Sequence, residues 1–164
     1  PPSLCRSAAT TPCRCAAFEV PHDGSDNVGY CIEHDGKCFC FITDIGHITS
    51  TVASYIERAN YLILEANYDE EMLAHGPYPQ YLKERIMGPN GHLSNKEAAK
   101  FLAQNLTEHL KCIWLCHLSR ENNHPELAYK TVEWELRGVG AIPGKDFYLA
   151  ALKRTTPSEL FEFE

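Results

Sequence analysis

Apolar and polar positions follow one rhythm up to about Asp44 and another beyond it. In the first stretch, Phe18-Glu19-Val20 is a short strand stopped by Pro21-His22-Asp23-Gly24. Val28 to Glu33 and Lys37 to Ile42 make two more strands, joined through His34-Asp35-Gly36, an Asp-Gly hairpin signal. Past Asp44, short apolar runs alternate with helical stretches. Tyr61-Leu62-Ile63-Leu64 and Cys112 to Leu115, like Phe39 to Ile42, are apolar throughout and read as strands buried on both faces. The intervening helices carry their own start signals: Thr49 or Ser50 for one through about Ala59, Asp69 for a short one, and Pro79 for one ending near Met87. A Ser94-x-x-Glu97 capping box opens a helix to about Leu110, and Pro125 starts another to Gly138. A last strand, Phe147 to Leu152, follows Pro143-Gly144. This alternation predicts an α/β layer with helices packed on a sheet. Residues 1–16, rich in small residues, prolines and cysteines, show neither period and predict an irregular segment ahead of a domain over residues 17–164.

Composition narrows the picture. A chain of 164 residues, 44% hydrophobic and 23% charged, suffices for one globular domain with a real core. A net charge of −7 excludes a nucleic-acid binder held by overall charge, but not an enzyme whose metal ions supply positive charge. No apolar run reaches the roughly 18 residues of a membrane span, so no membrane partner is expected. With no secretory signal either, a reducing cytoplasm is the expected location. The eight cysteines include no Cys-x-x-Cys pair, which removes zinc-ribbon and thioredoxin-type motifs. Cys38, Cys40, Cys112 and Cys116, set among Phe, Ile, Trp and Leu, read as small buried hydrophobes.

The candidate chemistry gathers at element boundaries. His22, Asp44, Glu65, His92 and His117 each follow a strand or precede a helix, where open α/β sheets place their functional groups. Alone, Asp44 also reads as a turn aspartate bonding its own backbone. Together, imidazoles and carboxylates form a ligand set for zinc, manganese or iron rather than calcium. His34, His47, His75, His109 and His124 lack this placing and read as surface residues.

These residues carry a resemblance. Pro21-His22-Asp23, Thr43-Asp44-Ile45-Gly46, Leu64-Glu65-Ala66-Asn67, Gly91-His92-Leu93-Ser94-Asn95 and Cys116-His117-Leu118-Ser119 resemble the later motifs of the metallo-β-lactamase fold. The match is to the YycJ-like branch, cytosolic metal-dependent hydrolases with nuclease relatives such as the transfer-RNA 3′-processing endonuclease. The resemblance covers about residues 17 to 163 and implies the second half of an αββα sandwich, a mixed sheet with helices on one face. It implies that His22, Asp44 and His117 bind metal, Asp44 bridging two divalent ions, zinc or manganese. It makes His92 the catalytic acid, Glu65 its orienting partner, and Ser94 and Asn95 substrate contacts. The implied reaction is hydrolysis of phosphodiester bonds, exonuclease-like, on nucleic acid. A lactam, thioester or lactone hydrolase of the same fold, or a non-catalytic half-domain, are the alternatives. The His-x-His-x-Asp-His cluster of the fold's first half does not occur in this sequence. The expectation is therefore a partial or empty metal site, and an uncovered sheet face that favours self-association.

Overall fold

The computed structural model describes residues 12–162. Six strands form one sheet in chain order: β1 (Arg14–Glu19), β2 (Val28–His34), β3 (Lys37–Ile42), β4 (Tyr61–Glu65), β5 (Cys112–Cys116) and β6 (Tyr148–Ala151). The first three pair antiparallel and the rest parallel, so the sheet is mixed. Asp35 and Gly36, at φ 46° and 74°, make the two-residue turn that pairs His34 with Lys37 and fixes the hairpin register.

Register explains how the sheet divides its two faces. Cys31, Cys40, Leu62, Ile113 and Leu149 stand in line across five strands, and all are buried. Over them lie α1 (Ser50–Arg58), α4 (Asn95–Asn105) and α5 (Pro125–Gly138). Each turns an apolar stripe inward: Val52 and Ile56, Ala98 and Leu102, Ala128, Val132 and Leu136. The spacing of four residues keeps each set on one side of its helix. The neighbouring row, Tyr30, Phe41, Ile63, Trp114 and Ala150, points to the other face. Among the described residues no helix covers that face: Tyr30 is 42% exposed and Phe41 38%. Trp114 there is buried, with the ring of Phe161 at 5.0 Å. Two short helices, α2 (Glu70–His75) and α3 (Gln80–Met87), lie between β4 and α4.

Two boundaries differ from the sequence expectation. β1 starts at Arg14, inside the segment expected to be irregular, whose residues 1–11 lie outside the described ones. Five of its six residues are exposed, so an edge strand held by backbone pairing shows no alternation to read. α4 ends at Asn105 rather than near Leu110. The Asn105 amide donates to the Phe101 carbonyl, and Leu106 takes extended backbone that lets Leu110 bury separately.

Candidate metal centre

Three adjacent strands running in one direction bring their carboxyl ends to one rim. Asp44 lies two residues past β3, Glu65 ends β4, and His117 follows β5 directly. His22 comes from the β1–β2 connection, and His92 from the loop before α4. Asp44 and His117 adopt φ of 52° and 54°, a left-handed backbone that costs of order 1–3 kcal/mol each for residues other than glycine. Close packing holds the loops in register. Gly46 donates to the Pro21 carbonyl, and a Cβ on it would meet the Pro89 carbonyl oxygen at 2.2 Å. Only glycine allows that approach.

At the centre is Glu65, with no exposed surface. Its Oε1 accepts from His92 Nδ1 (2.9 Å) and from the Leu93 backbone N–H (3.0 Å). Its Oε2 accepts from His117 Nδ1 (2.9 Å) and from the Asp44 backbone N–H (2.5 Å). Four donors match the roughly four acceptor sites of an ionised carboxylate. Burial pushes the Glu65 carboxyl upward, but the bonds from His117 and His92 outweigh it and hold it below the usual range. The bond to Glu65 raises His117, against the effect of burial, and Asp44 adds to the rise.

Asp44, Glu65, His92 and His117 offer ligand atoms all within 4.8 Å of one another. Asp44 Oδ1 lies 3.6 Å from His117 Nδ1 and 3.7 Å from His22 Nε2. The three rings adjoin, His92 centred 4.9 Å from His22 and 5.2 Å from His117. His22 Nδ1 donates to the Gly91 carbonyl (2.8 Å), leaving Nε2 with its lone pair. Donation to Glu65 does the same for His92 and His117 when neutral. The free Nε2 of His22 beside the half-exposed Asp44 carboxylate, with two further imidazoles adjoining, is a chemistry that suits a divalent ion of the zinc, manganese and iron group. Glu65 itself has no acceptor site left to offer one.

The structure thus brings His22, Asp44, Glu65, His92 and His117 to one place. Ser94 and Asn95, expected as substrate contacts, are both buried. Ser94 caps α4 through the Glu97 backbone N–H, and Asn95 exchanges hydrogen bonds with Asn123. Asn123 also donates to the Ala66 and Asn67 carbonyls, tying the end of β4 to the loop after His117. Two features had gone unread: the second histidine on Glu65, and Asp23. Arg85 pairs bidentately with Asp23, whose Oδ1 lies 3.5 Å from His22 Nε2. Register would have shown the first, since Glu65 and Cys116 are directly paired and His117 is next in line.

A pH dependence follows for the metal-free chain. A carboxylate held below its ordinary value of 4.5 adds stability above that pH, lost as pH falls through the lowered value. A histidine held above 6.5 adds stability below that pH, lost as pH rises through the raised value. Tm measured in chelator is expected to be highest between about pH 4.5 and 6.5 and to fall on either side. Glu65→Gln should flatten both slopes. Equal slopes in wild type and variant would show that this cluster does not set the profile.

The profile of the beta-lactamase superfamily domain matches residues 6–112. The chain belongs to this superfamily. It is 36% identical over 146 residues to exodeoxyribonuclease WalJ of Streptococcus pneumoniae, covering 89% of this chain and 54% of that protein. It is 33% identical over 144 residues to exodeoxyribonuclease YycJ of Bacillus anthracis, covering 88% of this chain and 54% of that one. The chain therefore spans about half the length of these superfamily relatives. Among solved structures, unliganded yeast PDE1 superposes with a TM-score of 0.52 over 90% of this chain and 46% of that one, at 12% identity, a likeness of fold. The superfamily implies divalent metal use.

Proposed function

We propose that residues 17–164 form the second half of a metal-dependent phosphodiesterase acting on nucleic acid, exonuclease-like as its named relatives are. The observation that carries this is the saturated Glu65 carboxylate between His92 and His117. His22, Asp44 and His117 would hold two divalent ions, zinc or manganese, which when bound supply Lewis acidity at the scissile phosphate. His92 protonates the departing oxygen from Nε2, and Glu65 fixes its tautomer. Glu65 does the same for the orientation of His117, as carboxylates commonly do behind metal-binding histidines. Asp23, held by Arg85, orders the loop that carries His22. No helix among the described residues is long and apolar enough to cross a membrane.

The test is a chimera in which residues 17–164 replace the matching portion of pneumococcal WalJ, so that the rest of that protein stands beside this site. With zinc or manganese it is expected to shorten DNA from free ends. A folded, metal-loaded chimera that is inert on DNA but opens a lactam, thioester or lactone would move the assignment to that branch of the fold.

A further inference from the structure

A second cluster lies away from the rim, under α1 on the helix-covered face. Cys31 stands opposite Cys40 in the β2–β3 register, and Cys38 is two residues along on the same face. Their sulfurs are close: Cys31 Sγ to Cys38 Sγ is 2.9 Å, Cys38 Sγ to Cys40 Sγ is 3.7 Å, and all three lie within 4.8 Å of one another. The residues are 1%, 7% and 0% exposed. Cys40 Sγ lies 3.3 Å from the Tyr55 carbonyl of α1.

We propose that Cys31, Cys38 and Cys40 form a thiolate site for one soft monovalent cation, copper(I), independent of the centre at Asp44. Ligand type and number select the ion. Three sulfurs and no imidazole or carboxylate favour the soft metals, copper(I), zinc or iron–sulfur clusters. Structural zinc almost always takes four ligands, and iron–sulfur clusters four cysteines. The described residues offer three sulfurs here and no fourth side-chain donor. Copper(I) is the soft ion whose demand this set meets. Each sulfur that binds releases its proton to solvent, and no electron is transferred. Arg58, paired with Glu33, is the cation whose field reaches Cys38 and opposes the negative charge created. Burial and neighbouring sulfurs push the free Cys38 thiol up to about 12 and Cys40 higher still, so both are protonated and inert as nucleophiles until an ion displaces the protons.

The experiment titrates the reduced chain anaerobically with copper(I) against a chromogenic copper(I) chelator. Cys5, Cys13 and Cys15 are replaced by Ser to silence the remaining amino-terminal thiols. One equivalent is expected to stay on the protein, with sulfur neighbours alone in X-ray absorption. Cys31→Ala and Cys40→Ala, checked for folding by circular dichroism, should each weaken retention by at least about tenfold. Asp44→Ala and Cys116→Ala should leave it unchanged. The absorption measurement needs no cysteine-cluster variant, so it decides even where a core substitution unfolds the chain. Loss of the whole equivalent to the chelator would overturn the site. So would nitrogen or oxygen neighbours, loss of copper in Asp44→Ala, or a Cys31–Cys38 disulfide formed in place of uptake.

Discussion

His92→Ala in the WalJ chimera keeps its divalent metals and loses turnover by about 10²–10⁴-fold, the usual contribution of a positioned general acid. His92 carries the proposed acid role although its ligand atom lies within 4.8 Å of those of Asp44 and His117, so metal content is what tells acid from ligand. Asp44 Oδ1 lies near His22 and His117, and Glu65 bonds Nδ1 of both His92 and His117. Truncation removes the leaving-group proton and leaves Asp44 and the other two imidazoles in place. The loss should therefore fall on kcat, and least for substrates whose leaving oxygen is already a weak base, such as nitrophenolate. Metal content by plasma emission and rates on DNA and on bis-p-nitrophenyl phosphate check this together. A variant stripped of an ion would make His92 a ligand and overturn the acid role.

The 164-residue chain alone should behave very differently from the chimera. His22 and Asp44 reach one proposed ion, and Asp44 and His117 the other, about two protein ligands each where a catalytic zinc keeps about three. Even the loss of an outer-shell partner costs roughly 10–100-fold in affinity, so a missing direct ligand should cost more. The expected result is weak metal binding and no turnover on DNA with zinc or manganese. The chain should also self-associate through the face bearing Tyr30, Ile32, Phe41 and Tyr148, each at least about a third exposed. Sedimentation with and without Phe41→Lys and Tyr30→Lys measures the association, which the substitutions should reduce. Robust turnover abolished by Asp44→Ala would mean that these residues suffice on their own.

Much of this was legible in the sequence because the pattern of each element is strong. Apolar runs at β3, β4 and β5 placed Asp44, Glu65 and His117 at strand ends, and the capping box placed the start of α4. Less legible was the burial of polar residues at the start of α4. Ser94 and Asn95 were expected as substrate contacts, and their burial is tolerated because a cap and an asparagine pair satisfy their hydrogen bonds. The early start of strand β1, at Arg14 rather than Phe18, was hidden for a different reason: backbone pairing at an exposed edge leaves no mark on side-chain pattern. The cysteine cluster had a signal that needed register. Once the turn pairs His34 with Lys37, counting back three residues on one strand and forward three on the other sets Cys31 opposite Cys40.

The order of strands carries a consequence of its own. From β3 to β6 each new parallel strand is added on the same side of the last, without a reversal. Parallel crossovers are overwhelmingly right-handed. A sheet wound steadily in one direction with one hand must land every crossover helix on the same layer, as α1, α4 and α5 do. To place a helix on the layer of Tyr30, Phe41 and Ile63, the chain would have to turn back and wind the other way from a starting strand. The bare layer is thus a product of winding direction rather than of which side chains line it. Substituting polar residues would make it more soluble without covering it, and only a second layer contributed from beyond these six strands can close it.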